Sequence, residues 1–169
     1  MKPILIKKKI YKDERGYFQE ILKLNEIPLK IKINFTATSF SRKNVIRGLH
    51  FQTKNQQTKI ITVIKGKIMD ICVNLKKKDK TYKKVFKFIL ERGDLLIIPK
   101  YYAHGIECLS KNAYLFYHLD KYQDKKNEAG LIYNDKKLKI KWNTKNPILS
   151  KRDKNLMTLE QFEKKIKSL

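Results

Sequence analysis

Between Lys59 and Leu119 the chain is cut into short apolar runs by turn residues, at intervals of about 8–12 residues, and few folds accommodate that rhythm. Ile60–Ile64 ends in Lys65-Gly66-Lys67, a tight hairpin signal. Ile68–Leu75 then alternates, with Met69, Ile71, Val73 and Leu75 on one face and Ile68, Asp70, Cys72 and Asn74 on the other. Lys76–Thr81 is a charged loop. Val85–Leu90 reads as a strand, Glu91–Asp94 as a turn at Gly93, Leu95–Ile98 as a buried strand stopped by Pro99, and Ala113–Leu119 as a further strand. Repeated period-two segments of this length predict an all-β sandwich or barrel.

The flanks agree. Ile4–Ile10 alternates weakly, Asp13–Gly16 is a turn, and Tyr17–Glu20 is strand-like. Leu22–Ile27 is at most a short helical turn before Pro28, and Ile31–Phe40 reads as a strand rich in β-formers. The end changes character: Thr158-Leu-Glu-Gln161 is a capping-box pattern that opens an amphipathic helix, with Leu159, Phe162 and Ile166 on one face. With no internal repeat and no low-complexity linker, residues 1–169 are expected to form one domain.

A net charge of +24 raises the question of nucleic acid. The charge is nearly all lysine, however, with arginine only at 15, 42, 47, 92 and 152, and it is spread in short runs with no zinc-finger, RNP or helix-turn-helix pattern. A solvated lysine surface accounts for it better than nucleic-acid binding does. No apolar run is long enough to span a bilayer, and the apolar part of MKPILIKKK is too short for a signal peptide. Cys72 and Cys108 sit inside apolar strand-like runs, as reduced core residues of a cytoplasmic protein do.

Chemistry concentrates in Asn44–Gln52, NVIRGLHFQ. On a strand, Arg47, Leu49 and Phe51 would share one face and His50 and Gln52 the other, but a bend at Gly48 can bring the guanidinium round to the histidine's side. Alone, His50 fits a hydrogen-bonded core histidine. Beside an arginine, it fits proton transfer on an anionic substrate.

The spacing around His50 and His104 resembles the two motifs of the cupins, small double-sheet β-barrels of the jelly-roll type. Gly93, Pro99 and His104 carry the second motif. In the first, His50-Phe51-Gln52 stands for the usual metal-binding His-x-His, and Lys59, with six residues between it and Gly66, replaces the glutamate ligand. An ammonium there repels a divalent ion, so the pocket is expected to work without metal. Within the cupins, the chain resembles the dTDP-4-dehydrorhamnose 3,5-epimerase family through DERGYF (13–18), NVIRGLHFQ (44–52), Lys59, IPKYYAHG (98–105), LFYHLDKY (115–122), NEAGLIYND (127–135), IKW (140–142) and ILSKRD (148–153). These segments follow the family order over nearly the whole chain.

That resemblance implies a cupin-type β-barrel with a short C-terminal helix. It also implies a cofactor-free epimerase of a nucleotide-linked 4-keto-6-deoxy sugar that works through an enolate, which needs a base on one face, an acid on the other and positive charge at the enolate oxygen. His50 matches the family's base, Asp153 its orienting carboxylate, Tyr117 the opposing acid and Lys59 the cation beside the carbonyl, with His104 a further polar group in the pocket. Asp70 is a candidate support for His104. Arg15 and Arg47 match diphosphate ligands. Glu20, Glu128 and Arg152 match further ligand contacts, and Phe18 and Tyr122 match aromatics about the nucleotide and sugar, as does Tyr11. The DERGYF segment implies a homodimer that exchanges its N-terminal segment. One departure bears on the substrate: Phe35-Thr36-Ala37 replaces a Gln-Asp-Asn run of the family. This keeps open a GDP- or other NDP-linked 4-keto sugar, heptoses included; Tyr117 favours epimerisation at both C3 and C5, with a C3- or C5-only epimerase or a ketoisomerase on the same barrel as the runner-up. The alternative from another class is a non-catalytic basic β-barrel that binds nucleic acid or sugar.

Overall fold

Most of the alternating runs enter two five-stranded antiparallel sheets in the computed structural model, which describes residues 1–165. The first sheet contains β1 (Ile4–Lys7), β4 (Phe35–Arg42), β6 (Lys59–Lys65), β9 (Asp94–Ile98) and β11 (Asn112–Leu119), in the order β1-β9-β6-β11-β4. The second contains β5 (Ile46–Gln52), β7 (Lys67–Asn74), β8 (Val85–Glu91), β10 (Tyr102–Cys108) and β12 (Glu128–Gly130), in the order β12-β5-β10-β7-β8. A separate hairpin, β2 (Ile10–Asp13) with β3 (Gly16–Gln19), carries the DERGYF turn. The architecture is the expected all-β double sheet. Among the described residues, no helix is long and apolar enough to cross a membrane.

Three apolar layers explain why so many strands read as continuous hydrophobic runs. Between the sheets lie Ile61, Val63, Leu96 and Leu115 from one side and Ile68, Cys72, Leu90 and Ile106 from the other. The outer face of the second sheet (Leu49, Phe51, Met69, Ile71, Val73) is covered by Leu131, Leu138, Leu159 and Phe162. The outer face of the first (Ile60, Leu95, Ile97) is covered by Ile27 and, at its margin, Leu22, Leu29, Ile31 and Ile33. This corrects the expectation for Ile31–Phe40. Pairing with β11 begins only at Phe35, and the preceding alternation packs Ile31 and Ile33 onto the sheet from outside.

The C-terminal helix α1 (Leu159–Lys165) starts with the expected reciprocal cap: the Gln161 N–H donates to Thr158 Oγ1 at 3.2 Å, and the Thr158 N–H donates to Gln161 Oε1 at 2.9 Å. Phe162 is buried edge-on against Phe51, ring centroids 5.5 Å apart. Ile166, expected on the same face, lies outside the described residues. Strand β10 escaped the sequence reading because His104, Gly105 and Glu107 interrupt its alternation, although all seven of its residues are buried.

One irregularity positions the site. In the β5–β10 pairing His50 lies opposite His104, but Arg47 lies opposite Ile106, so β5 takes three steps where β10 takes two. The extra residue is a β-bulge at Gly48, whose φ of +108° favours glycine. A Cβ there would sit 2.5 Å from the His104 carbonyl oxygen. The bulge returns Arg47 to the same wall as His50, as the Gly48 bend led us to expect.

Phe162→Ala should destabilise the full chain by about 3–5 kcal/mol in urea denaturation, since it empties a fully buried aromatic site. A loss below about 1 kcal/mol would mean the helix is not part of the cooperative core.

Candidate active site

Between the sheets opens a cavity of about 350 Å³. The second sheet contributes Arg47 and His50 from β5 and His104 from β10; the first contributes Lys59 from β6 and Tyr117 from β11. The segment after β12 returns to close one side with Ser150, Arg152 and Asp153. Imidazoles thus stand on one sheet, and the phenol and the ammonium on the sheet opposite.

Each imidazole is held by a buried carboxylate. His50 Nε2 donates to Asp153 Oδ1 at 2.7 Å, which leaves Nδ1 as the proton-accepting nitrogen. His104 Nε2 lies 2.8 Å from Asp70 Oδ2, and the Cys72 thiol donates to the other oxygen of Asp70 at 3.4 Å. Asp70 therefore does support His104. Burial pushes the Asp153 carboxyl up, but its bond from His50, the imidazole's charge, the Gly48 backbone and Ser150 pull further and hold it below the usual carboxylate range. Ser150 Oγ also accepts from the Asp153 N–H at 3.0 Å, fixing the turn that presents the carboxylate.

Lys59 is the unusual charge. Its nearest polar contact is the His50 carbonyl, 3.5 Å from Nζ, and among the described residues it forms no ion pair with a carboxylate. Burial pushes its ammonium down from the ordinary value, against weaker pulls from Glu128, Cys72 and Asp70. A cation kept this way is suited to an oxyanion delivered by a ligand. Burial likewise pushes the Tyr117 phenol up, while a hydrogen bond with Ser39 and the charge of Arg47 draw it back. Two carboxylate-tied imidazoles, an amide (Gln52) and an ammonium form a donor set that does not suit a divalent cation.

The remaining expected residues divide into two groups. Arg47 is in the wall, its Nε donating to Ser41 Oγ at 2.9 Å and its Nη2 to the Phe40 carbonyl at 2.8 Å. Arg152 and Glu128 also line the cavity and pair with each other at 3.0 Å. Tyr122 does not line the cavity but is 71% exposed, its ring 6.3 Å from that of the cavity residue Phe35. Arg15, Phe18 and Glu20 do not line the cavity of their own chain. Arg15 is exposed and paired with Asp13 on the hairpin, Phe18 packs its exposed ring towards Tyr11, and Glu20 faces Lys8 and Lys23. Phe35 and Ala37, from the run singled out as bearing on the substrate, face the cavity opposite Leu119 and Tyr117, whereas sequence reasoning missed Ser39 behind the phenol, which the pairing of β4 with β11 reveals. Thr36, between Phe35 and Ala37, faces away and meets His118 Nδ1 at 3.2 Å. Gln52, quoted only as part of a motif, lines the cavity with a buried Oε1 that has no partner within the described residues.

A family model described as dTDP-4-dehydrorhamnose 3,5-epimerase matches residues 2–161. The chain belongs to the dTDP-4-dehydrorhamnose 3,5-epimerase family. The enzyme of that name from Shigella flexneri is 33% identical over 159 residues, covering 90% of this chain and 88% of the relative. A crystal structure of the family enzyme from Bacillus anthracis, with TDP and PPi bound, superposes with a TM-score of 0.87 at 34% identity, covering 93% of this chain and 94% of that one. The Legionella pneumophila epimerase, in complex with dTDP-4-keto-L-rhamnose, gives a TM-score of 0.91 at 29% identity, covering 97% and 91%.

For a member of this family, Lys59→Met should raise thermal stability near neutral pH while cutting kcat/KM by about 100-fold or more. The folded-state value of Lys59 lies below its ordinary 10.5, so between the two the unfolded chain binds more protons and wild-type stability rises with pH. The variant's advantage should therefore shrink as pH climbs through that window. A Tm that falls at pH 7 would contradict a half-buried cation with no carboxylate partner.

Proposed function

We propose that the chain is an isomerase that epimerises C3 and C5 of a nucleotide-linked 4-keto-6-deoxy sugar, of the dTDP-4-dehydro-6-deoxyglucose type, by deprotonation and reprotonation through an enolate. The observation that carries this reading is the opposed pair of proton-transfer groups: His50, oriented by Asp153 on one sheet, and Tyr117 on the other, with the unpaired Lys59 ammonium in the same cavity. A C4 ketone acidifies its neighbouring C–H bonds. His50 Nδ1 takes a proton, Lys59 steadies the oxyanion, and Tyr117 returns a proton from the far side, each transfer group contributing about 10²–10⁴ in rate. Arg47, Arg152, His104, Glu128 and Tyr122 hold the nucleotide-sugar, and a cytoplasmic site of action fits the two buried free cysteines.

The active form is a homodimer with exchanged N-terminal hairpins. Supporting it, the hairpin residues Arg15, Phe18 and Glu20 stand outside their own cavity, and Tyr11, Tyr17 and Phe18 expose large aromatic surfaces, Phe18 to 66%. Each hairpin would carry these side chains to the partner's cavity.

Turnover of the dTDP-linked substrate in D2O, followed by NMR, should place deuterium at both C3 and C5 of the product. Label at one carbon alone would identify a single-site epimerase, and no label with retained sugar binding would identify a binding module. Mixing Arg15→Ala and His50→Asn chains should restore about a quarter of wild-type activity, because random pairing gives half heterodimers with one intact site each. No restoration after subunit exchange would contradict the swap.

A further inference from the structure

The face of β4 turned to the sheet interior carries Phe35, Ala37, Ser39 and Ser41. Phe35 and Ala37 form cavity wall, and Ser41 Oγ accepts from Arg47. Ser39 stands one step back from the cavity, and its hydroxyl meets the Tyr117 hydroxyl at 3.2 Å. That is the one hydrogen bond of the phenol among the described residues, and Ser39 Oγ has no other. Along its own sheet Tyr117 is flanked by apolar residues, Leu115 and Leu119 in line along β11 and Ile61 beside it on β6, while its other side faces the cavity.

A phenol that gives up its proton here leaves a phenolate on a half-buried cavity wall. The charge must be met by a donor already in place, because burial opposes it. Arg47 lies near, but its Nε and Nη2 are engaged with Ser41 and the Phe40 carbonyl, and Asp70, the carboxylate whose field also reaches the phenol, acts against it. A serine hydroxyl can reverse its role. It accepts from the phenol at rest and donates to the phenolate after transfer, by rotation about one bond.

We propose that Ser39 is a positioning residue for the reprotonation step: it holds the Tyr117 oxygen in place at rest, and by turning to donate it frees the O–H for the reacting carbon and meets the phenolate that remains. In that step the Tyr117 O–H bond breaks and a C–H bond forms with the enolate's π pair as the C4 carbonyl returns. The O–H electron pair stays on the phenolate oxygen, and solvent water later restores the phenol. The inference rests on Tyr117 being the acid, and the test separates the two.

Four full-length proteins are compared: Ser39→Ala, Ser39→Thr, Tyr117→Phe and the Ser39→Ala/Tyr117→Phe double variant, each checked by thermal melting. Ser39→Ala should lower kcat about tenfold with KM changed by less than about twofold, the scale of one hydrogen bond to a developing charge. Ser39→Thr, which keeps the hydroxyl, should recover most of the loss. In the Tyr117→Phe background, removal of Ser39 should cost nothing further in residual solvent-deuterium exchange, because its partner is gone. Unchanged kcat in Ser39→Ala, no recovery in a folded Ser39→Thr, or an additive loss in the double variant would each overturn the proposal. Full epimerisation by Tyr117→Phe would instead remove the acid assignment beneath it.

Discussion

The hydrogen bond from His50 to Asp153 joins side chains 103 residues apart in sequence, and the site depends on it. It forms only if three other things are in place. The Gly48 bulge must present His50 to the interior, the segment after β12 must come back across the second sheet, and Ser150 must shape the turn that holds the carboxylate. Apolar packing pins that returning segment: Leu131, Leu138, Leu159 and Phe162 bury against the outer face of the sheet whose inner face carries the histidines. The terminal helix and the long irregular stretch before it therefore serve the chemistry by fixing one carboxylate.

The same two-sheet arrangement sets a conflict between stability and function. Packing the sheets face to face favours apolar side chains throughout, and nearly all of the interior obeys. The exceptions gather at one end, where β6 and β11 offer Lys59 and Tyr117 towards β5 and β10. His50 and His104 are each tied to a carboxylate, and Glu128 is paired with Arg152. Among the described residues, Lys59 and Arg47 are cavity cations with no carboxylate partner, and that imbalance identifies where a ligand's negative charge belongs.

Much of this was legible in the chain. Period-two alternation in Ile68–Leu75 and the turn glycines at 66 and 93 fixed the strand class, because side-chain alternation is a local property of the backbone. The bend at Gly48 was readable for the same reason, since only a residue tolerant of positive φ allows the bulge. What failed was whatever depended on the partner across the sheet. The alternation of Ile31 and Ile33 marks a surface that packs on a sheet from outside, which looks the same in sequence as pairing within it. Strand β10 hid because His104, Gly105 and Glu107 break its apolar alternation. Ser39 could not be seen at all until β4 was set beside β11, since a serine in a Thr/Ser-rich strand carries no local signal of its neighbour. The roles of His50, Lys59, Tyr117 and Asp153 came from family resemblance, and the fold gathers those four around one cavity.

The central claim is that a 4-keto sugar ring lies between His50 and Tyr117 with its carbonyl oxygen on Lys59. A crystal structure with a non-reactive nucleotide-linked sugar analogue tests it most directly. The account predicts His50 Nδ1 and the Tyr117 hydroxyl on opposite faces of the ring and Lys59 Nζ within hydrogen-bond reach, about 3 Å, of the C4 oxygen. A ring held with both groups on one face, or with Lys59 bound to the diphosphate instead, would contradict it.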